Sequence, residues 1–247
     1  MHADLDRNYT AAVADADARG VRPLLDGLAT LLASSSAVVA MPVNVLRAMT
    51  LGAAYRSYHR ALADDVRGAA EEIYHRHRGV VDEAVHPGYS ADITNAAISV
   101  DGRGLNNYGE ITLRIGDVFI ADRATVMREN AFAFYERYDL GRRDAQEVPG
   151  WRCVWQRRAD LGVAHLTPYL TSGTPVTTLP SLVLQSGTGR DDDRFMEVHI
   201  FGVVALAAVE NVSLDRPLVT PDSQDEWNIA RQKLAAQGIP ARDRRVP

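Results

Sequence analysis

A change of periodicity near residue 88 constrains this chain more than any other feature. Over residues 6–85, apolar positions recur at helical spacing among Ala, Arg and Asp, with Leu46, Met49, Ala53 and Leu62 interleaved with polar residues. That is the pattern of amphipathic helices laid on a core. Three or four helices are expected, with Pro23 and Pro42 near helix starts and Gly79 or His86-Pro87-Gly88 closing the block. Runs of strand character follow, at residues 97–100, 111–115, 118–120, 182–184 and 195–201. The expected fold is α+β, with a helical module over residues 1–87 and a mainly antiparallel sheet domain over 88–247.

Segments between these runs carry further expectations. Residues 28–45 form the most apolar span and hold no charge, but Ser34-Ser35-Ser36 and Pro42 interrupt it and Asp26 and Arg47 flank it. A membrane span wants about 20 predominantly apolar residues, so a buried hairpin of helices is expected instead. Residues 123–138 read as a helix with Phe132, Phe134, Tyr135 and Tyr138 partly facing the core, 139–149 as a solvated loop, and the charged tail 240–247 as weakly ordered. Loops beside a cleft are expected at 166–179 and 185–193.

Charge and residue usage limit the chemistry. With 27 basic and 32 acidic residues the net charge is −5, so bulk electrostatics offers no basic surface and a nucleic-acid partner is unsupported without being excluded. The lone Cys153 allows no internal disulfide and no cysteine zinc cluster, and its setting in Trp151-Arg152-Cys153-Val154-Trp155 reads as packing. Four of seven histidines, His59, His75, His77 and His86, crowd the end of the helical block. His75 and His77, two apart, point to different sides of a helix, so no metal is expected. Residues 1–22 carry Asp4, Asp6, Asp15 and Asp17 rather than a basic stretch and an apolar core. A soluble chain is expected, cytoplasmic or delivered as a toxin without its own signal peptide. No Walker loop, dinucleotide fingerprint or Gly-x-Ser-x-Gly elbow occurs.

Two runs carry candidate chemistry. In 194–202, Phe195, Glu197 and His199 share one parity and Met196, Val198 and Ile200 the other, so a strand here has one apolar face and one bearing an acid and an imidazole. The second face suits a cleft wall, where a single carboxylate can orient a hydroxyl or stabilise a developing cation. In 102–115, Gly and Asn mark a tight loop with positive φ, and Ile111, Leu113 and Ile115 mark the strand leaving it, with Tyr108 at the junction.

Taken together, Tyr108-Gly109-Glu110-Ile111, Arg123-Ala124-Thr125 and Glu197-Val198-His199-Ile200-Phe201-Gly202 resemble, over residues 98–214, the ADP-ribosyltransferase-like C-terminal domains of bacterial polymorphic toxins. The resemblance implies NAD as substrate, with Glu197 on the nicotinamide ribose and His199 orienting Glu197 or the acceptor. It implies an arginine fork on the diphosphate from Arg114 or Arg103, and Tyr108 stacked on nicotinamide. It also implies a bracing hydroxyl from Thr125, Ser172 or Ser186. Phe195 stands where arginine-modifying members carry a second acid. NAD hydrolysis, another enzyme using the Glu197 and His199 cleft, and a non-catalytic interaction protein on the same scaffold are the alternatives. The acceptor is not specified by sequence.

Overall fold

The computed structural model describes residues 2–64, 72–141 and 148–244, leaving the side chains of 72–76 and 191 undescribed. The chain opens with α1 (His2–Ala18), α2 (Arg22–Ala33), β1 (Ser36–Met41), α3 (Val43–Met49), α4 (Tyr58–Ala63) and α5 (Glu72–Val85). Next come β2 (Ile93–Ser99), β3 (Ile111–Ile115), β4 (Ala124–Met127), α6 (Ala131–Tyr138), β5 (Arg152–Val154), α7 (Arg158–Leu166) and α8 (Leu179–Val183). The remainder is β6 (Leu184–Gln185), β7 (Arg194–Phe195), β8 (Glu197–Phe201), β9 (Val209–Leu214), α9 (Pro221–Ala236) and β10 (Ala241–Asp243). The α+β class is as expected, and no described helix is long and apolar enough to cross a membrane.

One sheet organises the molecule, in the order β10-β9-β3-β1-β2-β8-β4-β5 among the described residues. All its pairs are antiparallel except β9 with β10. Strand β1 corrects the expected helical hairpin at 28–45. Its Ser36-Ala-Val-Val-Ala-Met run is too short for periodicity to separate a buried helix from a buried strand, and Pro42 ends it by starting α3. Because β1 lies between β3 and β2, the sheet draws on residues from both sides of position 88.

Alternation along the strands gives the sheet two unlike faces. Ala37, Val39, Met41, Ile98, Leu113, Val126, Val198, Ile200 and Val212 pack with Leu5, Leu28, Leu46, Leu161 and Trp227 from α1, α2, α3, α7 and α9. Burying a Leu or Val side chain contributes about 1.5–3 kcal/mol before ordering entropy is counted, so this face holds most of the apolar stabilisation. Cys153 lies here, and burial pushes its thiol up to about 12, consistent with packing rather than nucleophilic work. Arg158, also buried, ties α7 to the loop before β1 through Ser35 Oγ at 3.1 Å and the Ala33 carbonyl at 2.8 Å.

On the opposite face, α5 and α6 cover Met127 with Val81, Val85 and Phe134, while Leu105 and Phe195 cover Val38 and Ala97. Several local expectations are corrected in this region. Residues 123–127 continue into β4 and the helix begins only at Ala131, after the Asn130 side chain accepts from the Phe132 N–H at 2.8 Å. Residues 117–119 form a 3₁₀ turn, and 182–184 mostly end α8. The tail contributes β10, fixed by Arg244 N–H to the Leu214 carbonyl at 2.9 Å. Most of the loop expected at 139–149 falls outside the described residues.

Candidate functional site

Strand register assembles the site. Arg114, Val38, Ala97, Glu197, Met127 and Arg152 are successive cross-strand partners and share the non-core face. Small Val38 and Ala97 leave a hollow beside Glu197 of about 90 Å³, walled by Tyr58, Arg78, Asn95, Tyr108, Phe132 and Arg190 among others. A second hollow of about 270 Å³ shares Tyr108, Asn130, Phe132 and Arg190 with the first, so the two adjoin.

Glu197 is only 5 % exposed, and its burial requires partners. Its Oε2 accepts the Ala131 N–H at 2.6 Å. Asn130 aims that donor by capping α6, and the helix start adds a favourable partial charge for a carboxylate. Behind the carboxylate, His199 Nε2 stands 3.8 Å from Oε2. Arg152 Nη2 lies 3.4 Å from His199 Nδ1 and 3.5 Å from His86 Nε2, and it also donates to the Val85 carbonyl at 3.3 Å. A guanidinium can only donate, and the two Nη2 hydrogens face three acceptors, so an imidazole nitrogen that takes one of them must present its lone pair. In His199 that arrangement leaves the ring N–H at Nε2, on the Glu197 side.

Burial holds the Arg152 guanidinium down to about 10, opposed by Tyr89 and Glu197, and Arg152 stacks over Trp151 at 4.3 Å. His86 is held down to about 2, first by burial and then by His199 and Arg152. Its Nδ1 has no hydrogen-bond partner among the described residues. His165, in a further hollow with Arg128 and Arg137 that shares Asn130 and Asp193 with the second, is held down to about 4, again chiefly by burial. Unfolded histidine titrates near 6.5, so between each folded value and 6.5 the unfolded chain binds more protons. Stability from these groups is therefore complete above pH 6.5 and is lost as pH falls, by up to about 1.4 kcal/mol per pH unit per histidine. Urea midpoints measured from pH 7.5 to 5 should fall, and His86→Gln should flatten that slope. An unchanged slope would show that His86 protonates freely in the folded chain.

The structure distributes the residues singled out in sequence unevenly. Glu197 and Tyr108 line one hollow, and His199 stands directly behind. Arg114 shares the row and face of Glu197 but lies three strands away, roughly 14 Å by strand spacing, and pairs with Glu210 at 3.1 Å. Arg103 is exposed on a loop beside Asp101, and Ser172 is exposed in the turn at 171–174. Thr125 faces His199 across β4 and β8 without lining the hollow, and Ser186 Oγ accepts the Asn106 N–H at 2.9 Å.

Arg78, Arg190, Asn95, Asn130, Phe132 and Arg152 were not singled out for the site, and no short motif joins them. The sole local signal is Asn130 before an aromatic helix, a capping pattern. No group of three or more metal-ligating side chains occurs among the described residues. No model of a known protein family matches the chain, and neither does any curated protein sequence.

Proposed function

We propose that the chain cleaves the nicotinamide–ribose bond of NAD and passes ADP-ribose to an acceptor or to water. The observation that carries this reading is Glu197: a buried carboxylate in a hollow, with one oxygen fixed by the Ala131 N–H and the other left for a ligand. Arginines and aromatic rings in the same wall suit an anionic ligand with flat rings. Alone, about 90 Å³ holds one end of such a molecule, since ligand pockets commonly measure about 300–1,000 Å³. The adjoining hollow of about 270 Å³ continues the path past Tyr108 and Arg190.

In this scheme Glu197 accepts the nicotinamide-ribose 2′-hydroxyl. The C1′–N bond breaks, its electron pair goes to nicotinamide, and nicotinamide leaves neutral. The fixed negative charge matters most as positive charge develops on the ribose. Water or an acceptor nucleophile then bonds to C1′ and loses a proton. His199, braced by Arg152, keeps the carboxylate in position. Incubation with NAD should release nicotinamide, measured by chromatography. No release with a range of acceptors, together with no NAD binding in calorimetry, would favour a cleft that serves as an interaction surface.

A further inference from the structure

Asp193 is a second buried carboxylate near the cleft that the scheme above does not use. It is 4 % exposed and lines the hollow of about 270 Å³ together with Tyr108, Phe132, His77 and Arg190. One oxygen is fully committed: Oδ1 accepts Asn107 Nδ2 at 2.9 Å and the Gly187 N–H at 2.8 Å, which fixes the side chain. The other, Oδ2, accepts nothing from any described residue. Burial pushes this carboxyl up, while its bonds from Gly187 and Asn107 and the nearby Arg190 act in the opposite direction. An enclosed acceptor without a donor costs free energy, and a ligand hydroxyl would remove that cost.

We infer that Asp193 is the acceptor for the vicinal hydroxyls of a ribose, in a subsite that takes the adenosine end of a dinucleotide and refuses a 2′-phosphate. The chemistry is that of one carboxylate oxygen presented to a cis-diol: the two lone pairs of Oδ2 face two donors, and the charge repels a phosphate at the same place. The surroundings fit, since Phe132, Tyr108 and His77 give flat walls for a base, and Arg190 lines both this hollow and that of Glu197. Asp193 and Glu197 are four positions apart in the chain, at most about 14 Å of backbone, so one diphosphate-linked molecule can reach both carboxylates. The identity of the larger molecule rests on the NAD reading, but recognition of the ribose does not.

The test is calorimetric titration of the full chain with ADP-ribose and with ADP-ribose carrying a 2′-phosphate on the adenosine ribose. The native chain should bind ADP-ribose about tenfold to a hundredfold more tightly, the range for a hydrogen bond to a charged group. Asp193→Asn keeps Oδ1 for Asn107 and Gly187 and replaces the free acceptor with a donor, so the ratio should narrow or reverse. Equal affinities in the native chain, or a ratio unchanged by Asp193→Asn, would overturn the assignment, as would no binding of either ligand. If nicotinamide release persists in that last case, only the Asp193 subsite fails. If the ratio behaves as expected while no nicotinamide is released, the subsite stands and the catalytic reading falls.

Discussion

On the proposed reading, Glu197→Gln is expected to lower nicotinamide release from NAD about a hundredfold to a thousandfold while the chain stays folded. The magnitude is that of losing one preorganised electrostatic group from a site where charge develops. The substitution preserves shape, and the amide oxygen of Gln can still accept the Ala131 N–H that Glu197 Oε2 accepts at 2.6 Å. What disappears is the negative charge that the proposed scheme sets opposite the ribose, where it would stabilise the transition state more than the bound substrate. A fall in kcat with little change in KM is therefore expected, because the interaction matures only as the C1′–N bond breaks. Wild-type release rates in a variant with a normal unfolding curve would remove Glu197 from the chemistry.

The second large effect is on stability. Gly109→Ala destabilises the fold by roughly 2–6 kcal/mol, the sum of a backbone strain of about 1–3 and an overpacking cost of about 1–3. Gly109 has φ 151° and ψ 179°, a combination that L side chains seldom adopt. A Cβ placed there would stand 2.0 Å from the Met41 carbonyl carbon and 2.4 Å from Pro42 N. Both are backbone atoms at the end of β1, so no side-chain rotation relieves the clash. Gly109 also joins Tyr108 to β3, so relaxation would displace the wall of the Glu197 hollow. Urea denaturation measures the loss, and a midpoint within error of the native chain would show that the β1–β3 junction is not this tight.

The cleft's dependence on pairing explains why its parts differ in how readable they were. Glu197 was legible because residues 195–201 alternate, and a period of two is a local property of a strand half-buried on each face. The core positions Val198 and Ile200, and the placement of Tyr108 at a loop-to-strand junction, follow from the same kind of pattern. Arg114 shows the limit of that reasoning. The alternation of Ile111, Leu113 and Ile115 sets Arg114 on the opposite face of β3, but which strands separate it from Glu197, and its pairing with Glu210, depend on sheet order.

By itself, then, the chain determined the α+β class, the helix-rich character of its first 85 residues and the two-faced character of β8, because these arise from spacings of a few residues; α7 and α9 carried no such signal. Tertiary structure alone placed β1 inside the sheet, where a short apolar run has no periodic signature to mark it. It likewise brought Ala131, Arg152 and His86 to Glu197 and His199, and Arg78 and Arg190 to the same hollow. His86, Ala131 and Arg152 lie tens of residues from Glu197 and His199 in the chain. Their convergence is fixed by the registers of β2, β4 and β5 around β8, long-range pairings that no local pattern encodes, and the locally readable Asn130 cap only sets where α6 starts.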